Sequence, residues 1–314
     1  MKSNALLSPT EISDLRLQAQ QLLGSENPAH KLDSRDAGWL PTSANGSGMD
    51  YAESRAYQQG DDPRSINWRL SARSTETYVK TYHMEARPSV CVVLDQRRTM
   101  VFGTKTRLKI SQALRLAIII ASIAEQQRLT FNVVLVNKEV NWLGEQSLAS
   151  FLQIANNAEL PDEIVSQPTL ETPFNQHSQQ LDSYFTRYLD RGSLVYLISD
   201  FMDLSSTATA INNLAQLQQN YSVQALHIID QAEQSLLQTK SKIKAQTSSV
   251  CLQDMKSKAT LSLKSDNQKQ DLQDIADKHF ATVKHTILKS GVTYSAIFAH
   301  ENTVYSHINF ASGH

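Results

Sequence analysis

Five short runs of apolar residues punctuate this chain: SVCVVLD (89–95), FNVVLVN (131–137), SLVYLIS (193–199), SVQALHII (222–229) and VTYSAIFA (292–299). Most lack the alternation of polar and apolar positions that marks a strand with one wet face. Such runs fit strands buried on both sides. Between them, stretches near 107–127, 145–157, 178–190, 206–219 and 267–289 carry helical spacing. Strands alternating with helices predict an α/β fold with a doubly wound, mainly parallel sheet. Residues 233–265 are more polar and only weakly alternating, which predicts an accessory β-hairpin rather than a central strand.

Ahead of this series the pattern changes. A first helix is expected over Pro9–Leu23, with Ser8 and Glu11 forming a capping box, Pro9 in the first turn and Gly24 at the end. Residues 25–50, rich in Asn, Pro, Gly and Ser, read as an extended linker. The organisation expected is therefore a helix and linker (1–50), a motif segment packed on the core (51–88), and the α/β domain with its hairpin insertion (89–314).

Composition narrows the function classes. Of 314 residues 40% are hydrophobic, and the net charge is −1, which gives no general attraction to nucleic acid or an acidic membrane. The N-terminus lacks the apolar run of a signal peptide, and LRLAIIIASIA (114–124) is too short to span a bilayer and carries Arg115. Cys91 and Cys251 show no paired spacing. A cytoplasmic protein with reduced thiols and no direct membrane insertion is expected. No HExxH, GxSxG, Walker A loop or Rossmann glycine fingerprint is present, and the nine histidines are scattered. No catalytic residues and no cofactor are assigned.

The densest chemistry lies in YQQGDDPRSINWRLSARS (57–74). Gly60 suits a turn, and Asp61 or Asp62 suits the cap of a helix opening at Pro63. On one continuous helix Ile66, Leu70, Arg69 and Arg73 share a side, while Trp68 points nearly opposite. This predicts a buried Trp68, with Arg73 as an internal clamp and Arg64 facing outward. The alternative is that the arginines address an anion or an acidic partner, since guanidinium forks match carboxylate and phosphate. Direct DNA binding is disfavoured by the balanced charge of residues 50–87.

This segment resembles a bacterial family known as domain of unknown function 58. Its pattern GDD-P/V-R-x-I-D/N-W-R-x-S/T-A-R is met here by Gly60, Asp61, Asp62, Arg64, Ile66, Asn67, Trp68, Arg69, Ser71, Ala72 and Arg73. Asp95, Met100, Phe102 and Gly103 fit the next landmark, and LISDFMD (197–203) a later one. The resemblance implies a von Willebrand factor A-like domain. It also implies partnership with a MoxR-type AAA+ ATPase and other von Willebrand A proteins of the same operon, in maturation or stress response. No enzymatic activity is implied.

Domains of that kind often hold Mg²⁺ at the strand ends through a DxSxS motif, a loop threonine and a distant aspartate. Carboxylate and hydroxyl oxygens suit such a hard cation. Asp95 and Thr99 match, and Asp200 stands where the distant carboxylate is expected. Thr169 or Thr172 are candidates for the loop threonine. Arg97 occupies the first serine position, replacing a hydroxyl with a positive charge. Two readings follow: Arg97 or Arg98 takes the place of the metal and pairs with Asp95 or Asp200, or a degenerate metal site serves a metal-dependent ligand-binding or hydrolytic enzyme.

Overall fold

A computed structural model describes residues 6–24, 50–58, 61–83, 89–156, 174–204, 206–234, 250–253, 260–263, 266–303 and 305–308. Most of the expected linker, Gly60, Thr169 and Thr172 lie outside them.

The capping box forms as its residues dictate. The Ser8 amide donates to Glu11 Oε2 at 3.1 Å, and the Glu11 amide donates to Ser8 Oγ at 3.3 Å. It opens α1 (Pro9–Gly24). Next come β1 (Asp50–Ala56) and β2 (Tyr78–His83), an antiparallel pair, with a 3-10 turn (Pro63–Ser65) and a one-turn helix, α2 (Trp68–Ser71), between them.

The α/β series then runs β3 (Ser89–Asp95), α3 (Lys109–Gln126), β4 (Thr130–Val136), β5 (Val140–Glu145), α4 (Leu148–Asn156), α5 (Phe174–Tyr188), β6 (Leu194–Ser199), α6 (Ala208–Asn220), β7 (Ser222–Ile229) and α7 (Gln231–Gln234). A hairpin of β8 (Val250–Gln253) and β9 (Thr260–Leu263) follows, as a separate antiparallel pair. It falls inside the stretch expected to form an accessory hairpin. Last come α8 (Asp266–Lys289) and β10 (Thr293–Phe298).

The main sheet has the order β10-β7-β6-β3-β4-β5. Its first five strands are parallel, and β5 alone is antiparallel. β3 is central and fully buried. Because successive side chains point to opposite faces, Val90, Val92 and Leu94 enter one core layer with α1, α3 and α4, while Cys91 and Val93 enter the other with α5, α6 and α8. α3 is buried along its length from Lys109 to Ala124, which explains the unbroken apolar run LAIIIA within it. Among the described residues no helix is long and apolar enough to cross a membrane.

Two features depart from the sequence reading. The edge strand β5 was not expected. Its VNWLGE alternates buried and exposed positions, so a search for continuous apolar runs passes over it. The helix expected from Pro63 onward is broken: Ile66 is extended (φ −62°, ψ 130°) and bridges to Val79 of β2, and the Asn67 amide donates to the Tyr78 carbonyl at 2.7 Å. Pairing with β2 overrides helical continuity. The expected helical face dissolves with it, and Trp68 is 69% exposed instead of buried.

Candidate functional site

In a sheet of this topology the strand order reverses between β3 and β6, and the carboxyl ends there are where ligands collect. Three adjacent strands, β3, β6 and β7, each run into an aspartate: Asp95, Asp200 and Asp230. All three are buried, so each must be paired or hydrogen-bonded to be tolerated.

Asp95 is held by Arg97. The guanidinium donates from Nη2 to Oδ2 at 2.7 Å and from Nε to Oδ1 at 3.0 Å, and the Arg97 amide adds a bond to Oδ1 at 2.9 Å. Ser199 Oγ donates to Asp95 Oδ2 at 2.6 Å. The remaining arm of Arg97 reaches Asp203 Oδ2 at 2.6 Å. Arg97 is itself only 3% exposed. Burial alone would lower its pKa, but the Asp95 and Asp203 carboxylates outweigh that and push it up.

Asp200 is held by Lys109, the first residue of α3. Nζ donates to Asp200 Oδ2 at 2.8 Å and to Glu233 Oε1 at 2.7 Å. Burial opposes the charge on both groups. The mutual attraction still holds the ammonium above its ordinary pKa and the Asp200 carboxyl below its own. Thr99 Oγ1 donates to Asp200 Oδ1 at 3.3 Å. Asp230 receives the Thr104 amide at 2.9 Å and the Thr104 hydroxyl at 2.5 Å.

Gly103 makes this closure possible. A Cβ there would collide with the Arg107 carbonyl and the Leu108 Cα, so only glycine lets the loop fold back on itself. The Lys109 amide then donates to the Phe102 carbonyl at 2.8 Å, and Nζ lies 5.6 Å from the Phe102 ring centre.

The sequence thus placed Asp95, Thr99 and Asp200 at one site, and they do meet there. It missed Lys109, Asp203, Asp230 and Glu233. Mg²⁺ does not fit these residues. Two protein cations already sit among the carboxylates, and Thr99 turns its hydroxyl toward Asp200 as a donor. Among the described residues no group of three or more His, Cys, Asp or Glu side chains is arranged to hold a metal ion.

His227 on β7 is buried nearby, with Nδ1 2.9 Å from Tyr294 Oη and the Phe201 and Phe280 rings against it. Burial pushes its pKa down to about 4 from 6.5. The unfolded chain therefore binds this proton first on acidification. The stability carried by a neutral His227 is complete above pH 6.5 and drains as pH falls, by about 3 kcal/mol at pH 4. Urea titrations at stepped pH should show a flatter acid limb in His227→Gln than in the wild type.

The motif segment is a second hydrogen-bonded assembly. Arg55 forks onto Asp61 at 2.7 and 2.8 Å, holding that carboxyl below its usual range, and Asp61 also accepts the Gln58 amide at 2.8 Å. Asp62 caps the 3-10 turn through the Arg64 amide, and Asn67 caps α2 through the Leu70 amide. Asn67 Nδ2 donates to Ser54 Oγ at 2.9 Å, and Ser71 Oγ accepts the Tyr78 amide at 2.9 Å. Arg64, Arg69 and Arg73 are all exposed and make no ion pair among the described residues. Arg73 is therefore not the internal clamp expected, because the broken helix turns it to solvent.

A family model described as protein of unknown function DUF58 matches residues 53–281. The chain belongs to the DUF58 family. Among curated relatives, the uncharacterized proteins Rv1480 of Mycobacterium tuberculosis and Mb1516 of Mycobacterium bovis are 36% identical over 59 residues, 19% of this chain and 19% of theirs. The match spans about a fifth of those relatives. Among solved structures, the DUF58 chain is similar to the conserved hypothetical protein BatB from Bacteroides thetaiotaomicron (10% identity, 70% of this chain, 92% of that one, TM-score 0.41). It is also similar to an aerotolerance-related membrane protein from Bacteroides fragilis (11% identity, 68% and 92%, TM-score 0.41). Likeness at that level fixes no function.

Proposed function

We propose that this DUF58 protein is a non-catalytic interaction module of the cytoplasm, von Willebrand factor A-like in its sheet, that works without metal. Its partner is a MoxR-type AAA+ ATPase, with other von Willebrand A proteins of the same operon, in protein maturation or stress response. One observation carries the non-catalytic reading: the acids that close β3 and β6, Asp95 and Asp200, are neutralised by the chain's own Arg97 and Lys109, both buried. A carboxylate spent on an internal ion pair is not poised as a base or a ligand. The partner comes from the family resemblance.

The full chain immobilised on a column should retain the purified MoxR-type ATPase of the same organism in the presence of ATP and Mg²⁺. Its own melting temperature should be the same in EDTA and in millimolar Mg²⁺. An ion bound only by the folded state would add about 2.7 kcal/mol at a hundred times its dissociation constant. Failure to retain the ATPase removes the partner. A Mg²⁺-dependent rise that Asp95→Ala abolishes restores the metal-dependent enzyme.

A further inference from the structure

Ten consecutive positions, 64–73, present Arg64, Trp68, Arg69 and Arg73 outward, of the kinds most enriched at protein interfaces, with Leu70 half-exposed beside them. Trp68 is 69% exposed and Leu70 37%. Leaving an indole and a leucine in water forgoes the burial that would favour both. The segment is nevertheless not slack. Two capped turns, the Arg55–Asp61 fork and the bonds from Asn67 and Ser71 to β1 and β2 fix its backbone. A surface held rigid before binding loses little entropy when a partner arrives.

Its charges are divided unevenly. Asp61 is neutralised by Arg55 and bonded by the Gln58 amide, and one carboxylate oxygen of exposed Asp62 accepts the Arg64 amide. The three arginines keep their guanidinium groups unspent among the described residues. The acids of GDD therefore build the turn, while the arginines and the tryptophan are presented outward.

Resting on the interaction role proposed above, we propose that Arg64, Trp68, Arg69, Leu70 and Arg73 form the docking surface for a partner protein. The partner presents a carboxylate-rich patch around an apolar pocket. The pocket takes Trp68, and the carboxylates take the guanidinium forks, whose planar donors match them. Tryptophan and arginine are the residues most enriched among binding hot spots. Nucleic acid fits less well: residues 50–87 carry as many acidic as basic residues, without the basic stripe that tracks a phosphate backbone, whereas an apolar pocket for Trp68 is a feature of a folded protein surface.

A photo-reactive phenylalanine analogue placed at position 70 of the full chain, in cells of the source organism, tests this while leaving Trp68 intact. The cross-linked peptide should be rich in Asp and Glu. Arg69→Glu combined with Arg73→Glu should cut its yield at least about tenfold. Trp68→Ala should weaken binding to the captured protein about thirtyfold, as loss of a hot spot does. Both variants should melt with the wild type, because none of the three side chains is packed.

An acid-rich peptide from the ATPase supports both this surface and the partner named above. An acid-rich peptide from another protein keeps the surface and removes the ATPase. A peptide poor in acids, a peptide of this same chain, a nucleic-acid adduct, no cross-link, or a yield indifferent to the arginine changes overturns the docking surface.

Discussion

Lys109→Ala should destabilise the protein by about 3–5 kcal/mol, the loss expected when one partner of a buried ion pair is removed. Asp200 is 1% exposed and Glu233 is largely covered, so the alanine variant strands one carboxylate completely and a second in part. Water cannot replace the ammonium at that depth. The pH dependence identifies the cause. In the wild type Lys109 holds the Asp200 carboxyl below its ordinary range against the opposing effect of burial. Without the lysine, burial is opposed only by the weaker effects of Arg97 and the Met202 amide, and the Asp200 pKa rises from its wild-type position. The variant then loses stability relative to the wild type as pH rises through its higher folded pKa. The gap between Lys109→Ala and wild type should therefore narrow as pH falls from 8 toward 5. Adding Asp200→Asn to Lys109→Met should recover a large part of the loss, because the stranded charge is then gone. Guanidinium unfolding curves of the three variants decide it. A loss below about 1 kcal/mol, or one unchanged by pH, would show that the pair is not what closes this end of the sheet.

The framework of the domain was legible because its strands are buried on both faces. Five parallel strands and the helices between them announce themselves through runs such as SVCVVLD and SLVYLIS. β5 did not, because an edge strand buries one face only and its six residues look like loop. Half of the site was legible for the same topological reason: an acid closing a buried strand points to the carboxyl edge, and Asp95 and Asp200 both do so. The cations were harder. Arg97 stands two residues from its partner and could be suspected, whereas Lys109 meets Asp200 across 91 residues of sequence, and nothing local to either residue reports the other. Trp68 failed for a different reason. Its burial was inferred from the angular spacing of one helix, and one extended residue, Ile66, cancelled that geometry. What then survives of the motif is its capping chemistry, which depends on neighbours along the chain, while the direction of its side chains depends on β2.

Arg97→Ser separates the ion-pair account from a hidden metal site, because serine restores the hydroxyl that the resemblance to DxSxS lacks. Arg97 makes a two-point fork on Asp95 and a further bond to Asp203. Asp95 would keep Ser199 and the amide of residue 97, which are dipoles and not a counter-charge. The expected loss is again about 3–5 kcal/mol. It should be the same in EDTA and in millimolar Mg²⁺, because Lys109 still occupies Asp200 and an ion placed between the two aspartates would meet that ammonium. Repulsion between a divalent and a monovalent cation a few ångströms apart is several kcal/mol even at an effective dielectric constant near 20. Calorimetric melting of Arg97→Ser with and without Mg²⁺ reads the outcome directly. A metal-dependent recovery of more than about 1 kcal/mol would mean that the carboxylates can assemble around an ion once the arginine is gone. Arg97 would then be a plug in a working metal site. With no recovery, Lys109 and Arg97 together stand in for the ion, and the loops after β3, β6 and β7 are closed by charges that the protein itself supplies.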